Sequence, residues 1–214
     1  MSTREKIIQS AKELFSKKGY NHTTVEDIVK HAGLSKGAFY FYFKSKDQLM
    51  EELINSMAER TKEIMRRWLN KGLSAEEMIR GHIRDFLIEC YQDRHIAYVF
   101  FFELLCNREE FKRLHKRHME DIVALLTKMV EKGYKEDEFR CGSVRTLVNL
   151  IVGYMRLLYM ERLLLNNAGL EEILQEAQEG LDVIFRGLKC GSFLLPVLGP
   201  FPPLPVLPLP EAHP

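Results

Sequence analysis

The chain has 214 residues, 46% of them hydrophobic and 29% charged, which is the composition of a globular protein of one or two small domains. The net charge of +1 does not by itself indicate a nucleic-acid partner, but the distribution of charge does. Residues 1–46 carry nine Lys/Arg and four Asp/Glu, whereas residues 47–190 carry 22 and 25. A basic head (residues 1–46) on an acidic body (residues 47–190) is typical of a protein with a DNA-binding module, although charges also cluster by chance.

The first predicted helix runs from about Thr3 to Lys18. Ser2 and Glu5 have the spacing of a capping box at its start, and Gly19 ends it. Its apolar residues recur at helical spacing and predict one buried face: Ile7, Ile8, Ala11, Leu14 and Phe15. We interpret this helix as support that packs behind the next segment.

Two short helical patterns separated by a glycine follow the first helix. Thr24 and Asp27 form a capping box for the first pattern, and Gly33 ends it where a left-handed residue is needed. Ser35 can cap the second pattern. A helix, a tight turn and a second helix make up a helix-turn-helix, in which the second helix enters the DNA major groove.

The second of these helices has two different faces. Three apolar side chains can pack back onto the first helix: Leu34, Phe39 and Phe43. The opposite face, toward solvent or DNA, carries Lys36, Gly37, Tyr40 and Phe41. Exposed aromatic residues beside a lysine fit contacts with sugar, phosphate and thymine methyl groups better than a plain soluble surface.

A further capping box, Ser45-x-x-Gln48, predicts a third helix from Lys46 to about Asn70 that links the head to the body. The amide groups at the start of this helix, together with Lys46, are placed to bind a phosphate.

The run from Ala32 to Leu49 resembles the DNA-binding signature of the TetR family of bacterial transcriptional regulators. The upstream half of that signature is matched by Phe15, Gly19-Tyr20, Thr23-Thr24 and Ile28. The resemblance implies an all-α protein with an N-terminal helix-turn-helix domain and a helical ligand-binding and dimerisation domain. It also implies that Thr24, Tyr42 and Lys46 hold phosphates, and that Phe41, which departs from the more polar residues often found there, makes methyl or sugar contacts. The predicted DNA-contacting residues are Thr24, Ser35, Lys36, Gly37, Ala38, Tyr40, Phe41, Tyr42 and Lys46.

The body is predicted to be helical throughout, because neither alternating strand patterns nor hairpin turns are present in the sequence. The predicted helices are Ser74–Gln92, Arg94–Cys106, Glu109–Lys132 with Gly133 as its end, Ser143–Asn166 and Leu170–Lys189. The last two are apolar over faces too wide for one hairpin to bury. Pairing with a second copy would bury them in a four-helix bundle, which is how TetR-like proteins dimerise.

A ligand pocket is expected in the body, lined by aromatic and ionisable residues embedded in apolar helices. The candidates are His82, Tyr91, Tyr98, Phe101, Phe102, Glu103, Asn149, Tyr154, Arg156 and Tyr159. Each also has a structural interpretation, as a core aromatic, a satisfied histidine or, for Arg156, an ion-pair partner of Glu161. The basic run 112–118 is either an anion-binding patch or a solvated face. The helix from Tyr98 to Arg108 resembles that of TetR relatives which sense fatty acyl-CoA thioesters.

The predicted domains are therefore 1–46, 47–190 and a Pro/Leu-rich tail, 191–214, that contains all eight prolines and is expected to be extended. The four cysteines are scattered, without metal-ligand spacing, which favours a reduced cytoplasmic protein without a metal or other cofactor. The sequence has no membrane-length apolar run, and none of the motifs of an enzyme active site is present.

These patterns predict a homodimeric repressor, released from a near-palindromic operator by a small apolar effector, with fatty acyl-CoA as a candidate class. The alternative is a small-molecule carrier or interaction module, which would leave the basic head and its exposed aromatics without a use.

Overall fold

The computed structural model describes residues 1–189. The predicted extended tail lies outside these residues. Nine α-helices and two π-helices make up the described part: α1 Thr3–Lys18, α2 Val25–Ala32, α3 Lys36–Tyr42, α4 Lys46–Leu69, α5 Ala75–Gln92, α6 Arg94–Val99, a first π-helix Phe100–Leu104, α7 Glu109–Lys135, α8 Val144–Leu157, a second π-helix Leu158–Leu165, and α9 Leu170–Lys189.

Local side-chain hydrogen bonds set the starts of the helices. Reciprocal capping boxes begin α1, α2 and α5, and those of α1 and α2 confirm the prediction. At α4 the prediction is half right. The Ser45 hydroxyl accepts from the Gln48 amide at 3.1 Å, but Gln48 Oε1 accepts from the Lys44 amide at 2.6 Å instead of returning to the cap. The turn that enters α4 is therefore fixed one residue earlier than a capping box would fix it.

The apolar core of the head extends beyond residue 46 into the body. Phe15, Tyr20, Phe39 and Phe43 are fully buried there, together with residues that α4 contributes through Ile54. The body adds six buried side chains to the same cluster, from α6, the first π-helix and α7: Ile96, Val99, Phe100, Leu104, Phe111 and Leu114. Head and body thus share a continuous packed junction, which a boundary at residue 46 would cut.

The body encloses its own core between α4, α5, α7, α8 and α9. Gly133 lies inside α7, so its prediction as the end of that helix is wrong. A Cβ atom at this position would come within 2.2 Å of the Phe139 ring. The glycine is needed because Phe139 packs directly against the helix backbone, where it also stacks on Phe185 with ring centroids 5.6 Å apart.

Two segments that were predicted to be α-helix contain π-helix, whose turns are wider than those of an α-helix. The predicted helix Arg94–Cys106 becomes a π-helix at Phe100–Leu104, and the predicted helix Ser143–Asn166 becomes one at Leu158–Leu165. π-helical turns are rare and are frequently found at functional sites. Here the two wide turns lie side by side, since Phe101 of the first contacts Tyr159 of the second with ring centroids 5.8 Å apart.

The outer faces of α8 and α9 remain apolar and exposed in the single chain. Leu150, Leu157 (55% exposed) and Val183 (74% exposed) project from them. None of the helices within residues 1–189 has the length and hydropathy needed to cross a membrane.

Candidate nucleic-acid interface

The turn between α2 and α3 is held by backbone geometry and one side chain. Gly33 adopts φ 66°, which is the left-handed conformation that was predicted for it. The Leu34 amide donates to the Val29 carbonyl at 2.8 Å, and the Ser35 hydroxyl accepts from the Ala38 amide at 3.2 Å. These contacts fix the direction in which α3 leaves the turn.

The two faces of α3 lie as the sequence pattern predicts. Phe39 and Phe43 point inward and are fully buried, with ring centroids 5.6 Å apart. Tyr40 and Phe41 point outward, and Phe41 is 81% exposed. The Phe41 and Tyr42 rings pack edge to face, with their centroids 4.9 Å apart. The exposed face is therefore an aromatic ridge, which is suited to contact with deoxyribose and thymine methyl groups.

Small residues complete the exposed surface of α3. Gly37 is exposed, and a Cβ there would find only Ser35 Oγ within 4 Å. Ala38 is partly buried beside it. Both positions leave room for another molecule to approach the helix backbone.

Two of the three predicted phosphate ligands, Thr24 and Lys46, already make hydrogen bonds within the head. The Thr24 hydroxyl donates to Asp27 Oδ2 at 2.7 Å. Lys46 Nζ donates to the carbonyls of Tyr20 and Thr23, both at 2.7 Å, and burial lowers the pKa of Lys46. Since an ammonium has three protons, only one remains for a phosphate, and the phosphate role of Lys46 stays a prediction. What the structure shows is that Lys46 closes the turn before α2.

Charged residues that the sequence analysis did not single out also surround α3. Lys30 and Lys44 are exposed on either side of it. Glu26 of α2 lies 2.9 Å from the Lys36 ammonium. The signal for Lys30 and Lys44 was present in the charge count of the head. The pairing of Glu26 with Lys36 joins different helices and needed the fold.

Glu103 joins the body to the head. Its Oε2 accepts from the Tyr20 amide at 3.0 Å and from the Asn21 amide at 3.3 Å. Gly19 makes this approach possible, because a Cβ there would stand 2.8 Å from Glu103 Oε1. Glu103 was predicted to line a ligand pocket, whereas its carboxylate binds the backbone of the turn before α2.

A second contact links the head and the body at the same junction. Arg108 Nη1 lies 2.9 Å from Asp47 Oδ1, which also accepts from the Tyr20 hydroxyl. Burial, followed by the hydrogen bond to Asp47, raises the pKa of Tyr20. The phenol is therefore neutral and acts as a fixed donor between head and body.

The interior of the body contains a series of aromatic rings that we call the aromatic column: His82, Phe86, Tyr159, Phe101 and His115. Successive ring centroids are 6.3, 5.9, 5.8 and 5.3 Å apart. Burial lowers the pKa of His82 to about 4. Within the described part of the chain, its Nδ1 is buried without a hydrogen-bond partner.

The other predicted ligand residues are not gathered around this column. Tyr91 is covered by the Arg94 guanidinium, Tyr98 and Phe102 are exposed, and Asn149 lies on the surface of α8. Tyr154 packs against Gly180 and donates to the Glu176 carbonyl at 2.5 Å. Arg156 is exposed but close enough to the column to help lower the pKa of His115, for which burial is the larger cause.

A groove of about 460 Å³ elsewhere on the body, between α5 and α9, is lined partly by Trp68, Leu73, Leu174 and Leu181. None of the predicted ligand residues lines it.

Two family models match the chain. Residues 7–53 match the model of bacterial regulatory proteins of the tetR family. Residues 76–184 match the tetracyclin repressor-like C-terminal domain. The chain belongs to the TetR family. The predicted plan of a helix-turn-helix domain followed by a helical domain is thereby confirmed.

Known relatives of this TetR-family chain are transcriptional regulators and not enzymes. A transcriptional regulator (TerR/AcrR family) of solved structure from Aquifex aeolicus VF5 is 34% identical, with a TM-score of 0.73, and the match covers 86% of this chain and 99% of that one. The negative transcriptional regulator of the biofilm operon icaADBC, IcaR, from Staphylococcus aureus strain Newman is 26% identical over 158 residues, 74% of this chain and 83% of IcaR. FadR from Bacillus subtilis, solved in complex with stearoyl-CoA, shares the fold, with a TM-score of 0.69, 22% identity and coverage of 86% and 98%.

Proposed function

We propose that this TetR-family regulator is a homodimeric cytoplasmic repressor that binds a near-palindromic operator and leaves it when the body binds a small apolar effector. The observation that carries the proposal is the exposed aromatic ridge of Tyr40 and Phe41 beside Lys36 on α3. An exposed ridge of this kind at the end of a basic head is explained by contact with DNA. The similarity to IcaR, a negative regulator, supports repression.

The dimer interface proposed here is the outer face of α8 and α9. Leu150 and Leu157 are seven residues apart and therefore share one face of α8, and Val183 is exposed on α9. Gly153 lies between the two leucines, with open space over its Cβ position. An isologous four-helix bundle would bury these groups against the same groups of a second copy. Two heads held in this way would enter successive major grooves about 34 Å apart.

The effector site proposed here is the aromatic column. Its interior is uncharged, since burial keeps His82 neutral and raises the pKa of Tyr159 well above its usual value. An apolar chain would lie among these rings once they separate, and the unpartnered His82 Nδ1 would bond to a polar group of the effector. Beside His115 at the outer end of the column, the exposed Arg156 would meet an anionic group. This combination, together with the likeness to a FadR that binds stearoyl-CoA, supports the acyl-CoA class.

The first π-helix would couple the two sites. It carries Phe101, which packs in the aromatic column, and Glu103, which holds the turn before α2. An effector that separates Phe101 from Tyr159 must shift this short helix, and with it the carboxylate on the Tyr20 amide. The effector thereby favours a second head orientation, and the operator affinity falls through differential binding to two states.

The DNA-binding role is tested with Phe41→Ala. We expect the variant to bind a selected operator about 10-fold to 100-fold more weakly, because it loses the apolar contact with base methyl or sugar groups. The control is Ile88→Ala, which removes an exposed apolar side chain of the body on α5 and should leave the affinity unchanged. Operators would come from repeated selection of random duplex DNA on the wild-type protein, and affinities from fluorescence anisotropy at fixed salt.

Two outcomes would contradict the proposal. One is equal weakening by Phe41→Ala and Ile88→Ala, which would make the loss a general effect on stability. The other is a selection in which no sequence is enriched and binding is weak and salt-sensitive, which would favour the carrier or interaction module.

A further inference from the structure

One acid of the head stands on the surface that is proposed to meet DNA. Glu26 is the second residue of α2, and its side chain is 71% exposed. Its Oε2 lies 2.9 Å from Nζ of Lys36, which is the first residue of α3 and is 57% exposed. The hydrogen bond from Lys36 to Glu26 raises the pKa of the lysine, so the ammonium stays charged. The pair thus presents a fixed cation and a fixed anion at the N-terminal end of α3.

The other three acids in residues 1–46 have local structural partners. Glu5 and Asp27 belong to capping boxes, and Glu13 lies 3.5 Å from His31. Glu26 lies in the first turn of α2, where an acid is favourable, but this contribution and that of an exposed ion pair to the stability of the fold are both small. Beside DNA a carboxylate is unfavourable, because it repels phosphates and occupies a lysine that would otherwise bind them. An acid beside α3 is therefore compatible with DNA binding when a contact with the bases gives a benefit that offsets this repulsion.

The major groove offers that benefit at a G·C pair. Guanine presents the acceptors O6 and N7, to which lysine donates, and cytosine presents the N4 amino group, from which glutamate accepts. Guanine O6 and cytosine N4 are hydrogen-bonded to each other and so lie about 3 Å apart. This separation matches the 2.9 Å between Lys36 Nζ and Glu26 Oε2. The N-terminal residues of a recognition helix are also those that reach base edges.

We propose that Glu26 is a specificity-determining residue, which together with Lys36 reads the orientation of one G·C pair in each half-site. This inference rests on the proposed DNA-binding function and adds a residue to it. When the base pair is reversed to C·G, the carboxylate faces the guanine acceptors and the ammonium faces the cytosine amino group. Both contacts are then repulsive, so the pair excludes the wrong orientation as well as favouring the right one.

The test is selection of random duplex DNA on the full-length wild type and on Glu26→Gln, followed by anisotropy on the enriched operator and on its single-pair reversals. The wild type should enrich a G·C pair at one position per half-site, and its reversal should weaken binding about 10-fold to 100-fold. Glutamine both donates and accepts, so Glu26→Gln should lose most of this preference at that position alone. Non-specific binding should become tighter, because a negative charge is removed. The control is Glu13→Gln, which removes the same charge away from α3.

Each result decides between the proposals. An enriched near-palindrome that is the same at every position for wild type and Glu26→Gln would overturn the role of Glu26 and leave the DNA-binding function standing. The role of Glu26 would also be overturned if Glu26→Gln weakened the base preference equally at all positions, or if Glu13→Gln weakened it as much as Glu26→Gln does. In both cases the change in net charge would explain the effect. A wild type that enriches no sequence would overturn both proposals together.

Discussion

Replacing Leu157 with glutamate is expected to convert the protein to a monomer and to lower its operator affinity about 10²-fold to 10⁴-fold. Leu157 is 55% exposed on the apolar outer face of α8. In the proposed four-helix bundle its side chain meets a second copy, so a glutamate there would bury an unpaired charge, which is strongly unfavourable. A monomer binds one half-site with one head, and it loses the gain in affinity that a dimer has from binding both half-sites at once.

Mass from light scattering, together with anisotropy on the selected operator, measures both parts of this expectation. Ile88→Glu is the matched control, because Ile88 is an exposed aliphatic residue on α5, which is not a helix of the proposed interface. It should remain dimeric with unchanged affinity. A Leu157→Glu protein that keeps the mass and the operator affinity of the wild type would place the dimer interface elsewhere.

The second large effect is expected at Glu103. In the wild type, stearoyl-CoA should weaken operator binding by a factor in the range of 5-fold to 150-fold that is typical of coupled sites. Glu103→Ala removes the acceptor of the Tyr20 and Asn21 amides. The variant should still bind stearoyl-CoA and the operator, but the ligand should change its operator affinity less than about 2-fold, far below typical coupling.

Operator titrations with and without stearoyl-CoA, and with coenzyme A alone, measure this coupling. Glu109→Ala provides the control, because Glu109 is an exposed acid at the start of α7 that pairs with Lys112. If stearoyl-CoA releases Glu103→Ala from the operator as fully as it releases the wild type, the two sites are coupled through other contacts. A wild type that responds to no acyl-CoA would contradict the effector class while leaving the DNA-binding function intact.

Local chemistry explains which parts of the fold were predictable from the sequence. The boundaries of α1, α2 and α5 depend on Ser, Thr, Asp and Glu side chains that bond to amides three residues away, so both partners are visible in one short stretch. The inward and outward faces of α3 follow from helical periodicity in the same way. The family resemblance rested on this local pattern and was confirmed by both family models.

Contacts between distant parts of the chain explain what was missed. Glu103 reaches Tyr20 across 83 residues, and Lys46 reaches the carbonyl of the same residue across 26. Neither spacing leaves a periodic signal in the sequence. Gly133 resembled a helix end because glycine is common there, but the approach of Phe139 decides its role. The π-helices likewise left no local signal, since their sequences are compatible with ordinary α-helix, and the contact that they make between Phe101 and Tyr159 joins residues far apart in the chain.

Sequence-specific DNA binding is tested by the ratio of two dissociation constants at 0.15 M salt, one for the selected operator and one for a shuffled duplex of the same composition. We expect the wild-type protein to bind the operator at least about 10³-fold more tightly than the shuffled duplex. A ratio close to one, with the same steep salt dependence for both duplexes, would contradict it, because binding would then come from the basic head alone.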